Sequence, residues 1–179
     1  GAEEVENLGL VKVMRNLQET AKSSKKVVGI GECGLDFFDE TRDTKHVTRK
    51  KTGDDEKEFQ RKLFGEQIKL ATELDLPLVV HCRNGWNEIF ELLITNPRLL
   101  TSLRGVFHSF TGGVNDAKKA IDLGFYVSFS GIVTFSNAKN IAEAAKQLPI
   151  NKMLIETDSP FLAPEPIRGS QNEPKNVRI

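Results

Sequence analysis

Apolar positions along the chain follow two rhythms. Short unbroken apolar runs bounded by glycine, proline or charge read as buried strands, and apolar residues three and four apart read as amphipathic helices. Val5 to Lys22 has the helical rhythm, through Val5, Leu8, Val11, Leu17 and Ala21. Val27, Val28 and Ile30 then predict a buried strand that stops on Glu32, between Gly31 and Gly34, before continuing to Asp36. Asp39 to Glu58 mixes both charge signs without an apolar stripe and reads as a long surface loop, with His46 solvated among Arg and Lys. Phe59 to Leu76 is the clearest helix, with Phe59, Leu63, Gln67, Leu70 and Leu74 in one row. Pro77 ends it. The strand Leu78-Val79-Val80 follows and ends on His81. The pattern then predicts a helix at Trp86 to Thr95, a strand at Gly105-Val106-Phe107 ending on His108, and a helix at Val114 to Leu123. A strand at Phe125 to Phe129, a helix at Ala138 to Leu148 and a strand at Met153-Leu154-Ile155 complete it, the last running into Glu156, Thr157 and Asp158. The tail from Ser159 to Ile179 has four prolines and no period, so it reads as mostly loop.

Strand and helix alternate about five times, with later strands starting roughly 20 to 30 residues apart, which is the pattern of βαβ units around a parallel sheet. A barrel and an open doubly wound sheet both fit it. The 179 residues suffice for a single domain with a core. No apolar run approaches the roughly 18 residues of a membrane span, and the acidic N-terminal stretch lacks the basic flank and apolar core of a signal peptide. Two cysteines, Cys33 and Cys82, are too few for a disulfide framework and read as small buried packing residues in a reducing compartment. The expected location is therefore cytoplasmic, or nuclear. With 25 basic and 25 acidic side chains the net charge is zero, which argues against wrapping duplex DNA by charge alone. It leaves room for an enzyme that holds a few phosphates in a cleft with help from metal ions.

The strand ends carry the chemistry. Glu32, His81, His108 and Asp158 each follow an apolar run, and in a (β/α) fold the C-terminal ends of the strands face one side. Taken alone, Glu32 fits either a functional carboxylate or a solvated turn residue. Two of the chain's three histidines and two carboxylates at equivalent places point to a metal site. Imidazole with carboxylate suits zinc, manganese or iron, and carboxylate-rich sites accept magnesium. No Gly-x-Ser-x-Gly elbow or P-loop occurs. Gly29, Gly31 and Gly34 match dinucleotide-fingerprint spacing, but no helix follows them, so no nucleotide cofactor is expected.

The segments GECGLDFF, LPLVVHCR, VFHSFTGG and LIETDSPFLAPEPIRGSQNEP resemble, in order and spacing, the motifs of the TatD family of metal-dependent deoxyribonucleases, from about Lys25 to Val177. The resemblance implies a TIM barrel, two divalent metal ions (Mg, Zn or Mn), and DNA as substrate, often attacked from a 3′ end. It implies that Glu32 bridges both metals, that His81 and His108 complete one metal site, and that Asp158 binds the other metal and orients or deprotonates the attacking water. Arg83 fits either a phosphate contact or a salt bridge at the barrel rim. Arg168 has the same two readings, with the salt bridge favoured. Asp36 is expected to steady a ligand from beside the site, and Ser109 and Thr111 to cap the next helix.

The chain departs from the family pattern at its start. The family opens on a strand bearing His-x-His, and here His46, His81 and His108 are the only histidines. A TIM barrel typically takes about 250 residues. The expectation is a single partial domain over 1–179, an incomplete barrel of about five βα units. It should bind one metal well at most and the second weakly, with reduced activity and with two sheet edges left open. Two other functions fit the residues: a metal-dependent amide or ester hydrolase on the same barrel, or a catalytically impaired fragment. The lack of a lysine at the strand ending on Phe129, which offers Ser130 instead, favours phosphodiester chemistry. Oligomeric state is not readable from the pattern.

Overall fold

The computed structural model describes residues 2–37, 53–95 and 103–179, with side chains from residue 9 onward. Helix α1 (Ala2–Lys22) leads to strand β1 (Ile30–Asp36). Then follow α2 (Asp54–Glu73), β2 (Leu78–Arg83), α3 (Trp86–Ile94), β3 (Gly105–Phe107) and α4 (Val114–Asp122). β4 (Tyr126–Phe129), α5 (Lys139–Gln147) and β5 (Met153–Ile155) complete the alternation. Single 3₁₀ turns lie at Gly131–Thr134, Ile150–Lys152 and Pro174–Arg178.

The five strands form one parallel sheet in the order β1-β2-β3-β4-β5. This is the α/β architecture of TIM-barrel type. The sheet is not closed among the described residues, and β1 and β5 lie at its edges.

Alternation along each strand divides the sheet into two faces. Cys33 and Leu35 of β1, Leu78, Val80 and Cys82 of β2, Phe107 of β3, and Val127 and Phe129 of β4 are all buried. They meet Phe64, Ile68 and Ala71 of α2, Ile89, Phe90 and Leu93 of α3, Ala117 and Ala120 of α4, and Ile141 and Ala144 of α5 in one core. Phe107 sits at its centre, with the Trp86, Phe90 and Phe125 rings 5.5, 5.8 and 5.2 Å away. His81 and Arg83 lie on the other face, so the chemistry-bearing side chains occupy the side that the helices do not cover.

Three expectations are corrected. The first strand starts at Ile30 rather than Val27, and Val28 is 76% exposed. It also runs through Glu32 to Asp36, so Glu32 lies inside the strand rather than at its end. Residues 54–58, expected in the charged loop, form the first turn of α2: Asp54, Asp55 and Glu56 favour the positive end of the helix dipole, which supports a helix start without an apolar stripe. The remainder of that loop up to residue 52, with His46, lies outside the described residues. The tail is more ordered than its prolines suggest, with Ala163 and Asn172 buried and a 3₁₀ turn at its end.

Phe107 is fully buried among rings that cannot collapse into its space. Phe107→Ala should cost about 3–5 kcal/mol, read as a lowered urea midpoint at unchanged slope. A loss under about 1 kcal/mol would show that this ring is not central to the core.

Candidate metal centre

The site is built by register. β1 and β2 pair Gly34 with His81 and Asp36 with Arg83, which puts these residues on the same face. β2 and β3 pair Val80 with Phe107, and the His108 N–H continues the ladder by donating to the Val80 carbonyl at 3.0 Å. His81 and His108 are thereby neighbours, with ring centroids 5.6 Å apart. Glu32 reaches them through an irregularity. Ile30 pairs with Leu78 and Cys33 with Val80, so β1 spends one more residue than β2 over that step. Such a bulge re-aims a side chain that regular alternation would place elsewhere. Gly34 is needed at the crossing point: its φ is 133°, and a Cβ there would lie 2.0 Å from the His81 carbonyl oxygen.

One carboxylate oxygen joins the two rings. Glu32 Oε1 lies 3.2 Å from His81 Nδ1 and 2.9 Å from His108 Nε2. Ligand atoms of Glu32, His81 and His108 all fall within 4.8 Å of one another, which makes this the one group of its kind among the described residues. The buried Nε2 atoms of both histidines lack a hydrogen-bonded partner, so the 2.9 Å approach of His108 to Glu32 is close without hydrogen-bond alignment. Buried polar atoms are nearly always satisfied. The unsatisfied His108 Nε2, with Glu32 Oε1 and His81 Nδ1 beside it, fits a divalent cation of the zinc or manganese type.

Around this trio stand residues of two kinds. Asp36 lies 3.8 Å from His81 Nε2 and holds Arg83 in a two-pronged pair, Nε to Oδ1 at 2.7 Å and Nη2 to Oδ2 at 3.0 Å. Gln60 from α2 pins the Asp36 backbone, accepting its N–H at 2.8 Å and donating to its carbonyl at 3.1 Å. Arg83 therefore has the salt bridge of one of its two readings, beside His81. Arg168 stands on the tail: its guanidinium lies 3.9 Å from the Phe135 ring centroid and 3.8 Å from Glu165. Asp158 is not one of the three grouped residues, although the charges of Glu156, Glu32, His108 and His81 act on its carboxyl. Burial raises its pKa, and the two glutamates add to the rise.

Glu156 is the residue the motif reading passed over. The Glu156 N–H extends β5 by donating to the Phe129 carbonyl at 3.0 Å. Its Oε1 lies 3.4 Å from His108 Nδ1 and accepts the Ser109 N–H at 2.7 Å. Its signal in the sequence is that Glu156 follows three apolar residues as His81 and His108 do, two positions before Asp158. Ser109 and Thr111 do not cap the following helix. Ser109 Oγ meets Ser130 Oγ at 2.9 Å, Thr111 donates to the Cys82 carbonyl at 2.8 Å, and Asp116 takes the Gly113 N–H at the helix start.

Electrostatics separate the two histidines. Burial opposes charge on His108, but the carboxylates of Glu156 and Glu32 outweigh it and push its pKa up to about 9. Burial dominates at His81 and lowers its pKa despite Asp36 and Glu32. Glu156 is held below the usual carboxylate range: burial works against this, and His108 and Ser128 prevail. Burial pushes both Cys33 and Cys82 up to about 12, so neither thiol is nucleophilic near neutrality.

The family model described as TatD related DNase matches residues 4–179. An uncharacterized metal-dependent hydrolase from Buchnera aphidicola is 38% identical over 170 residues, covering 93% of this chain and 59% of the relative. A protein named deoxyribonuclease Tat-D from Schizosaccharomyces pombe is 35% identical over 152 residues, covering 84% of this chain and 43% of the relative. The crystal structure of YJJV, a TatD homologue from Escherichia coli, superposes with a TM-score of 0.76 at 30% identity, over 92% of this chain and 58% of that one. The chain thus spans about half the length of the relatives it matches. No helix among the described residues is long and apolar enough to cross a membrane.

His108 yields a pH prediction for chelated protein. Its folded pKa, about 9, lies above the ordinary 6.5, so the folded state holds more protons than the unfolded state between these values. Its stabilising contribution is complete below about pH 6.5 and is lost as pH rises through about 9. Urea midpoints should therefore fall from pH 6.5 to 8.5, and His108→Gln should flatten that slope. An unchanged slope in the variant would contradict the bracketing of His108 by two carboxylates.

Proposed function

The chain belongs to the TatD related DNase family, and from that premise we propose that it serves metal-dependent hydrolysis of DNA phosphodiesters, with release of nucleotides from a 3′ end. The observation that supports this reading most is the convergence of Glu32, His81 and His108, whose ligand atoms lie within 4.8 Å of one another, with the His108 Nε2 beside Glu32 buried and unsatisfied. These three side chains would hold a divalent metal. When bound, such an ion supplies a more acidic water and offsets the charge of a phosphate group.

The chain's own residues supply the rest. Glu32 joins the two histidines through one oxygen and leaves its second oxygen for another contact. Glu156 contacts the His108 imidazole at Nδ1, with Nε2 on the side of Glu32. Fixing a ring through its second nitrogen is how carboxylates steady metal-binding histidines. Asp36 stands in a similar position beside His81 and is itself fixed by Arg83 and Gln60. Asp158, with its pKa raised, is the proposed acceptor of a proton from the attacking water. Arg83 places a cation at this rim and, while paired with Asp36, is the proposed contact for a substrate phosphate. Arg168, engaged with Phe135 and Glu165, is the weaker candidate for that task.

Metal titration of the full chain should find a single tight ion, as expected from one complete group of three ligands. Two tight ions per chain would contradict the proposed ligand count. Nucleotide release from single-stranded DNA should stop with chelator, and Glu32→Gln should lower it at least about a hundredfold, the upper end of losses seen for mere outer partners. Full activity in Glu32→Gln would sink the reading, and turnover confined to ester or amide substrates would replace DNA as the substrate.

A further inference from the structure

One buried side chain ties the loop after β5 to the tail. Asn172 is 3% exposed. Its Nδ2 donates to the carbonyls of Thr157 and Phe161, each at 2.7 Å. Its Oδ1 accepts the Glu173 N–H at 3.0 Å and Asn176 Nδ2 at 2.9 Å. Its own N–H donates to the Pro160 carbonyl at 3.0 Å. Every donor and acceptor of the amide is used, and the amide has one workable orientation, because carbonyls only accept and the Glu173 N–H only donates.

The two carbonyls it holds flank Asp158. That residue has φ 56°, in the left-handed region that non-glycine residues occupy only when their surroundings hold them there. The Phe161 N–H closes the turn by donating to the Asp158 carbonyl at 2.9 Å. The tail is seated firmly beyond it: a Cβ on Gly131 would lie 2.1 Å from the Leu162 carbonyl oxygen. Asn172 is itself held by the Glu173 N–H and the Asn176 amide and grips the turn on both sides of the carboxylate.

We propose that Asn172 is a positioning residue that fixes the turn carrying Asp158 and with it the placement of the Asp158 carboxylate for the reaction. This rests on the reading of Asp158 as the group that works on the attacking water.

Four variants of the full chain test it: Asn172→Ala, Asn172→Asp, Asp158→Asn and the Asn172→Ala/Asp158→Asn double. Asn172→Ala should speed hydrogen exchange in the segment 157–161 at least about tenfold, with exchange in β2 to β4 unchanged. It should lower kcat on a single-stranded oligonucleotide about 10- to 100-fold, the range for removal of a supporting partner, with KM within about twofold. In the Asp158→Asn background it should add nothing, because coupled residues are non-additive. Asn172→Asp keeps the size and removes both donors, so it should reproduce these effects if the alanine variant folds poorly. Equal losses in both backgrounds, or unchanged exchange at 157–161, would overturn the proposal. If Asp158→Asn leaves kcat intact, the reading of Asp158 fails and the proposal with it. If Asp158→Asn lowers kcat while Asn172→Ala does not, the proposal alone fails.

Discussion

The candidate centre depends on the register of three neighbouring parallel strands. Glu32, His81 and His108 come from β1, from β2 and from the residue after β3, and no two of them are close in sequence. A slip of one residue in a strand turns its side chains to the opposite face. Here it would bury His81 against the helices and lift Cys82 into the open. The helix-covered face prevents this: Leu78, Val80, Cys82 and Phe107 are buried there, and each would lose its apolar burial in the slipped register. The core thus fixes the chemistry indirectly, by making one pairing far better than its alternatives.

Charge is then distributed unevenly within the fixed frame. His108 is bracketed by Glu32 and Glu156 and holds a proton tightly, while His81 is governed by burial. Glu32, His81 and His108 would hold a metal ion only with the His108 imidazole neutral, so that proton would have to leave on binding. The carboxylates that raise the pKa of His108 are thus the groups that would share the charge of the ion. The Asp36–Arg83 pair adds a second, internally compensated layer beside His81.

Much of this was legible in the residues themselves. The apolar run before His108 located it at a strand end. The run before His81 marked a strand that continues past it to Arg83, so that His81 lies inside β2 rather than at its end. The alternation of strand and helix gave a parallel sheet. The motifs carried the family. Three features were not legible, for physical reasons. Residues 54–58 entered a helix through charge at its dipole end, which hydrophobic periodicity does not register. Glu32 sits inside β1, and the bulge that aims it depends on pairing with β2, a non-local fact. Asn172 acts through contacts with a folded turn 11 to 15 positions away, so no local pattern marks it, whereas Glu156 follows an apolar run and only its contact with His108 is non-local. The open edges of the sheet, at β1 and β5, agree with the reading of about five βα units.

The joining of two imidazoles by Glu32 is most directly tested by anomalous diffraction from crystals soaked in Zn²⁺ or Mn²⁺. A single strong peak should lie about 2.0–2.2 Å from a Glu32 oxygen and from one nitrogen each of His81 and His108. A peak elsewhere, or one at the histidines with Glu32 turned away, would contradict the central claim.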